Sequence, residues 1–248
     1  MLNGTAPPVG KSSALFLDID GTLLDMARRP EAVAMPSGLM DALDRLHRAL
    51  GGALAFVSGR SLKGIDQLFA PLRTPAIGCH GVEVRGEDGE VHTLADPISK
   101  PVREFLQQLA DVHPGTLLED KVYTLALHYR LAPEALPALE EALKDHRVLF
   151  EAEKITRQQG KSVIEFKPLG IDKGVGVRAL LREKPFEGRM PIFGGDDTTD
   201  IDVFQILPAL GGKSFSVGRR FEGVDFHFAS PSAVRQWLMR LAEQGIGP

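Results

Sequence analysis

The chain of 248 residues has one cysteine, Cys79, which excludes an intramolecular disulfide framework and suits a reducing compartment. It has no apolar run near the roughly 20 residues needed to span a bilayer. Residues 1–13 are polar, carry Pro7 and Pro8, and lack the apolar core of a secretory signal, so they read as a flexible N-terminus on a cytoplasmic protein. The net charge of -4 has both signs interspersed, and the missing basic stripe argues against nucleic acid or an anionic membrane as partner. The seven histidines have no zinc spacing, and no internal repeat or low-complexity tract is present. Three near-motifs also fail. Gly4 to Ser12 has one residue too many between its glycines for a P-loop, Gly174 to Ala179 follows no convincing strand, and Ser58-Gly59-Arg60 is not a nucleophile elbow.

What is present begins at Ala14 to Leu17, an apolar run of the kind a parallel strand covered on both faces requires. The run stops at Asp18-Ile19-Asp20-Gly21-Thr22. Side chains two apart on a strand point the same way, so Asp18 and Asp20 can converge on one small volume. Gly21 turns the chain and lets the backbone approach a ligand closely. A lone Asp-Gly would signal only a turn; an apolar strand ending in two acids signals chemistry, and phosphoryl transfer is the class it suggests.

The hydrophobic content of 43% supports a sizeable core, and strands alternate with helices along the chain. Leu39, Leu43, Leu46 and Leu50 form a helical stripe closed by Gly51 and Gly52. Ala53 to Val57 is a short strand running into Ser58, and Met190 to Phe193 is another, leading into Gly195-Asp196-Asp197-Thr198-Thr199-Asp200. Later strands are expected at Phe215 to Val217 and Phe226 to Ala229, and a last helix over Ala233 to Glu243. Three parallel-type strands thus deliver polar residues from their C-terminal ends, the edge where open α/β sheets bind ligands.

Residues 97–168 differ. Their order reads helix, strand, helix, two strands, and the strands alternate apolar with polar, which signals a sheet with one wet face. In Val122 to Arg130, Tyr123, Leu125, Leu127 and Tyr129 share one face and leave His128 and Arg130 on the other; in Lys161 to Lys167, Lys161 and Glu165 lie opposite Ile164 and Phe166. Such charges fit a solvated face, and they equally fit a surface that closes over a site and binds a hydroxyl-rich ligand.

A carboxylate approaching a phosphate monoester is repelled by roughly 4 kcal/mol per unit-charge pair at about 4 Å and an effective dielectric of about 20. Cations must offset this. A divalent metal held by Asp18 and Asp196 would do so, and Mg2+ is the natural choice because it takes oxygen ligands. Lys173, near an expected helix start, supplies a second cation, and Ser58 can donate to a phosphoryl oxygen.

These four elements, Asp18-Ile-Asp20-Gly-Thr, Ser58, Lys173 and Gly195-Asp196-Asp197-Thr-Thr-Asp200, together resemble the haloacid dehalogenase superfamily over nearly the whole chain. The resemblance implies a Rossmann-like doubly wound parallel sheet, here residues 14–96 and 169–248, with a smaller α/β cap inserted at 97–168. It implies that Asp18 attacks phosphorus to form an aspartyl-phosphate, and that Asp20 protonates the leaving oxygen and later deprotonates water. The Asp20 backbone carbonyl would join Asp18 and Asp196 at the metal, with Asp197 and Asp200 as outer supports.

Within the superfamily the chain is similar to trehalose-6-phosphate phosphatases at Glu119-Asp-Lys121, His128-Tyr129-Arg130, Gly160-Lys161, Glu165, Phe166-Lys167-Pro168 and Gly-Asp-Asp-x-Thr-Asp. That implies sugar binding by Glu119, Lys121, Arg130, Lys161 and Glu165, with Arg60 at the phosphate end. Ile201 stands where the family commonly has Glu, and His80-Gly81 matches a family motif without a clear role. The function implied is release of trehalose and phosphate by a monomer fed by a separate synthase. The core motifs do not encode the sugar, so sucrose phosphate or mannosyl-3-phosphoglycerate remain alternative substrates, and a non-catalytic sugar-phosphate sensor is a third reading.

Overall fold

The computed structural model describes residues 6–26, 35–160 and 162–247. They form two compact units, Met1–Leu94 with Asp172–Pro248 and Ala95–Ile171. The divisions fall at 94/95 and 171/172, where the sequence put 96/97 and 168/169.

The first unit is built on an eight-stranded sheet. In chain order its elements are β1 (Ser13–Asp18), α1 (Leu39–Ala49), β2 (Leu54–Val57), α2 (Leu62–Phe69), β3 (Ala76–Gly78), β4 (Glu83–Arg85) and β5 (Val91–Thr93). After the insertion come α6 (Lys173–Leu180), β10 (Met190–Gly195), α7 (Ile201–Ile206), β11 (Lys213–Val217), β12 (Phe226–Phe228) and α8 (Pro231–Gln244). The spatial order is β12-β11-β10-β1-β2-β3-β4-β5, parallel from β12 to β3 and antiparallel beyond.

All six residues of β1 are buried, as a central strand covered on both faces requires. Strand order runs one way from β1 to β3 and the other way from β10 to β12. The crevice beyond the C-terminal ends of β1 and β10 is therefore the topological switch point, where open α/β sheets bind ligands. Aromatic packing fixes both faces of the sheet: Phe56 stacks on Phe69 at 4.1 Å and Trp237 of α8 lies edge-on to Phe215 at 5.4 Å on one face, and Phe193 packs on Phe204 of α7 at 5.5 Å on the other. The two termini of this unit also meet: Val9 is buried and Gly10 bridges Gly247. This part of the segment expected to be flexible is thus held by packing and backbone pairing, and residues 1–5 lie outside the described residues.

The second unit contains α3 (Lys100–Asp111), β6 (Leu117–Asp120), β7 (Leu125–His128), α4 (Leu136–Asp145), α5 (Arg147–Ala152), β8 (Ile155–Gly160) and β9 (Val163–Pro168). Its sheet is antiparallel throughout, in the order β6-β7-β9-β8. Leu125, Leu127, Ile164 and Phe166 pack with Val102, Leu106, Leu139 and Leu143 in a separate core, so helices cover one face of this sheet. The opposite face carries the alternate residues. No helix among the described residues is long and apolar enough to cross a membrane.

Candidate active site

Asp18 is the last residue of β1 and sits at the switch point with 4% of its surface exposed. Lys173 opens α6, whose N-cap is Asp172: the Asp172 carboxylate accepts from the Val175 N–H at 2.9 Å. This start places the Lys173 ammonium in the interior, 2.8 Å from Asp18 Oδ1 and 2.6 Å from Asp200 Oδ1. The other oxygen of Asp200 accepts from the backbone N–H groups of Asp196 and Asp197 at 2.9 and 3.0 Å. Asp200, fully buried, is therefore the joint between the ammonium and the loop after β10. Asp197 is exposed and accepts from the Thr198 N–H at 2.7 Å, completing a capping box with Asp200.

Asp196 faces the turn after β1. Thr22, buried beside it, donates its hydroxyl to Asp196 Oδ1 at 3.2 Å. Gly21 has φ of 91°, and a Cβ there would lie 2.1 Å from Asp196 Oδ2. The turn thus needs glycine both for its left-handed backbone and for the approach of this carboxylate.

Ligand-capable oxygens of Asp18, Asp196 and Asp200 all lie within 4.8 Å of one another. Three carboxylates face one ammonium. Burial pushes the Asp18 carboxyl well above its usual range, Lys173 pulls it back, and Asp200 and Asp196 push it further up. Burial and then Asp200 push Asp196 up to about 6. For Lys173, burial works against the charge, but Asp18 and Asp200 together outweigh it and hold the ammonium protonated. Asp18 Oδ2 is buried with no hydrogen-bond partner among the described residues. An orphaned carboxylate oxygen, an all-oxygen donor set and two uncompensated negative charges fit a hard divalent cation. Asp18 and Asp196 have acceptor capacity left for it, whereas Asp200 is occupied on both oxygens.

The remaining core residues converge on the same edge. Ser58 follows β2 and is buried; its Oγ accepts from the Arg60 N–H at 3.1 Å, so its own O–H is left to donate. Asp20 is half-buried, and its carboxylate receives two bonds from the Arg60 guanidinium at 2.6 and 2.7 Å. His80 is buried, donates its N–H to the Ser58 carbonyl at 3.1 Å, and sets its ring against Gly59, where a Cβ would lie 2.3 Å from Nε2. Ile201, half-buried, opens α7 directly after the capping box.

In the second unit, register decides which side chains share a face. Residues directly opposite in an antiparallel ladder project from the same side. Glu119 pairs with Ala126, Ala126 with Glu165, and Glu165 with Gln158, giving one row across all four strands. His128 lies in the next row and its Nε2 is 3.0 Å from Glu119 Oε2, which Lys121 Nζ also approaches at 3.7 Å. Arg130, beyond the end of β7, is exposed. Lys161 lies outside the described residues.

The trehalose-phosphatase family model matches residues 16–224, most of the chain. The chain belongs to the trehalose-phosphatase family. It is a family of phosphoric monoester hydrolases, and the resemblance read from the motifs holds. A probable trehalose-phosphate phosphatase of Sinorhizobium fredii is 44% identical over 206 residues, covering 83% of this chain and 77% of that protein. The trehalose-6-phosphate phosphatase of Escherichia coli is 37% identical over 234 residues, covering 94% and 87%. Among solved structures, a trehalose-6-phosphate phosphatase related protein superposes with a TM-score of 0.78 at 24% identity, covering 93% of this chain and 97% of its own. The C-terminal domain of the Candida albicans trehalose-6-phosphate phosphatase superposes equally well, with a TM-score of 0.78 at 22% identity, covering 94% and 93%. These superpositions show the fold of the family.

Thr22 has no role of its own in the sequence motif, and Asp200, expected as an outer support, also bonds Lys173 directly. The spacing Asp197-x-x-Asp200 ahead of an apolar helix is the capping-box signal that could have located Asp200.

Proposed function

We propose that this protein is a Mg2+-dependent phosphatase that hydrolyses trehalose 6-phosphate to trehalose and phosphate through an aspartyl-phosphate on Asp18. The observation that carries the reading is the Asp18-Lys173-Asp200 ion cluster at the sheet's switch point, with Asp196 beside it, in a chain of the trehalose-phosphatase family. A divalent ion held by Asp18 and Asp196, with the Asp20 carbonyl, would offset the charge of the phosphoryl group.

The protein's own residues supply the remaining chemistry. Lys173 lowers the cost of bringing the Asp18 carboxylate to a phosphate dianion, and Ser58 donates its hydroxyl to a phosphoryl oxygen. An Asp18 oxygen bonds to phosphorus as the bond to the sugar oxygen breaks, and Asp20 gives that oxygen a proton. Asp20, now a carboxylate, takes a proton from water; the water oxygen bonds to phosphorus and the bond to Asp18 breaks, releasing phosphate. Asp197 and Asp200 hold the loop that carries Asp196. Residues 97–168 act as a cap that reads the sugar, with Glu119 and Glu165 accepting from hydroxyls and Lys121 and Arg130 donating to them. The enzyme acts as a cytoplasmic monomer on substrate made by a separate synthase.

The test is phosphate release from a panel of sugar phosphates, with Mg2+ and with chelator. Trehalose 6-phosphate is expected to be turned over fastest, with activity lost on chelation and restored by Mg2+. A clear preference for sucrose phosphate or mannosyl-3-phosphoglycerate would reject the substrate assignment.

A further inference from the structure

Both carboxylate oxygens of Asp20 are held by one side chain. Arg60 Nε lies 2.6 Å from Oδ2 and Nη2 lies 2.7 Å from Oδ1, the paired geometry that a guanidinium offers and an ammonium does not. The Arg60 side chain is 17% exposed and that of Asp20 31%, so the pair is partly shielded from water and differs from a mobile surface bridge.

The backbone of Arg60 is fixed at both ends. Its N–H donates to Ser58 Oγ at 3.1 Å, and its carbonyl accepts from the Cys79 N–H at 2.8 Å. Cys79 and His80 have φ of 48° and 54°, two successive left-handed residues that are not glycine. Such strain persists only where surrounding contacts over-determine it. Those contacts are visible: the His80 N–H bonds the Ser58 carbonyl, the His80 ring fills the space beside Gly59, and a Cβ on Gly81 would lie 2.0 Å from the Asp172 carbonyl. A strained turn therefore clamps residues 58–60, and the far end of that clamp is the carboxylate of Asp20.

We propose that Arg60 is a positioning residue for Asp20, where the sequence assigned it to the phosphate end of the substrate. Its guanidinium fixes the plane of the carboxylate while occupying two of the roughly four acceptor sites that group offers, leaving one on each oxygen for the leaving group and for water. Arg60 also ties that orientation to Ser58 through one backbone bond, so the group that steadies the phosphoryl oxygens and the group that handles the proton move together. This rests on the reading of Asp20 as proton donor given above.

The experiment compares the unaltered enzyme with Arg60→Gln, Arg60→Lys, Asp20→Asn and the double variant Arg60→Gln/Asp20→Asn. The readouts are kcat/KM for trehalose 6-phosphate and competitive inhibition by inorganic phosphate. Since kcat/KM covers steps only up to departure of the sugar, the later hydrolysis of the intermediate does not enter. Arg60→Gln is expected to lower kcat/KM by roughly 10- to 100-fold, part of the roughly 100- to 10,000-fold a placed general acid contributes. Arg60→Lys, which can serve only one oxygen, falls between. The phosphate inhibition constant stays within about threefold, and in the Asp20→Asn background Arg60→Gln costs no more than about threefold, because residues acting through one another are not additive. Phosphate inhibition that weakens in step with kcat/KM, a fully additive double variant, or an undiminished Arg60→Gln would each overturn the proposal. Preference of the unaltered enzyme for another sugar phosphate moves the same comparison onto that substrate, and full activity of Asp20→Asn rejects the reading of Asp20 itself; both are distinct from a failure at Arg60.

Discussion

Replacing Lys173 with Met tests whether one buried ammonium holds the acidic centre together. Its Nζ lies 2.8 Å from Asp18 and 2.6 Å from Asp200, and both carboxylates are buried. At an effective dielectric of about 20 each contact is worth roughly 6 kcal/mol of Coulomb attraction, against which stand the several kcal/mol needed to desolvate the ammonium. Removing one partner of a buried ion pair costs about 3–5 kcal/mol, a large share of the roughly 5–15 kcal/mol that stabilises a domain. The loss should depend on pH. A buried carboxyl deprived of its cation has a folded pKa above its unfolded value, so the folded state binds more protons and stability falls as pH rises between the two. The slope is about 1.4 kcal/mol per pH unit per group, up to about 4 kcal/mol between roughly pH 5 and pH 8 for a carboxyl that stays protonated in the fold. Urea unfolding followed by circular dichroism, in chelator, at both pH values measures this. Lys173→Met should lose about 3–5 kcal/mol at the higher pH and clearly less at the lower, and Lys173→Met/Asp200→Asn should recover about 1–3 kcal/mol. A loss under about 1 kcal/mol at the higher pH, or one that ignores pH, refutes the account.

Three further outcomes follow from the site. Gly21→Ala places a Cβ against Asp196 Oδ2 at a φ of 91°, and the Mg2+ concentration for half-maximal activity should rise about tenfold or more; an unchanged Mg2+ titration would show that Asp196 is not a ligand. Because Asp196 is pushed up to about 6 and a protonated carboxyl does not bind metal, the half-activating Mg2+ concentration should climb as pH falls through that value, by about tenfold per unit for one proton. A flat Mg2+ requirement between roughly pH 5 and 7 contradicts it. Glu165→Ala should lower kcat/KM for trehalose 6-phosphate by about 10- to 100-fold, the loss of one charged hydrogen bond, and leave phosphate inhibition unchanged; equal damage to both removes its sugar-reading role.

The sequence made legible those features whose signal is local. Strand β1 could be read from an uninterrupted apolar run, Asp18 and Asp20 from their spacing at its end, and the loop carrying Asp196 from the strand before it. Strands β3, β4 and β5 have three residues each, too few to show a period, and Leu117–Asp120 lacks the alternation that marked β7 and β9. The strand expected from Val122 begins only at Leu125, because Val122 takes a φ of 71° that breaks extended backbone; Tyr123 therefore falls outside the ladder it was assigned to. The Arg60-Asp20 pair spans 40 residues and the Lys173-Asp18 pair 155, and no local pattern reports contacts of that range. The burial of Asp200 was hidden for the same reason, because its bond to Lys173 spans 27 residues.

The sheet order has a consequence for how the enzyme is made. β1 leaves the ribosome early, yet one of its two sheet neighbours, β10, and the cation for its buried acid, Lys173, both lie beyond the insertion. Asp18 therefore waits through synthesis of residues 95–171, a unit with its own core, before a partner can bury it at acceptable cost. The acidic centre closes only once the insertion has been made, and the two parts of the chain that frame it are joined by the pairing of β1 with β10.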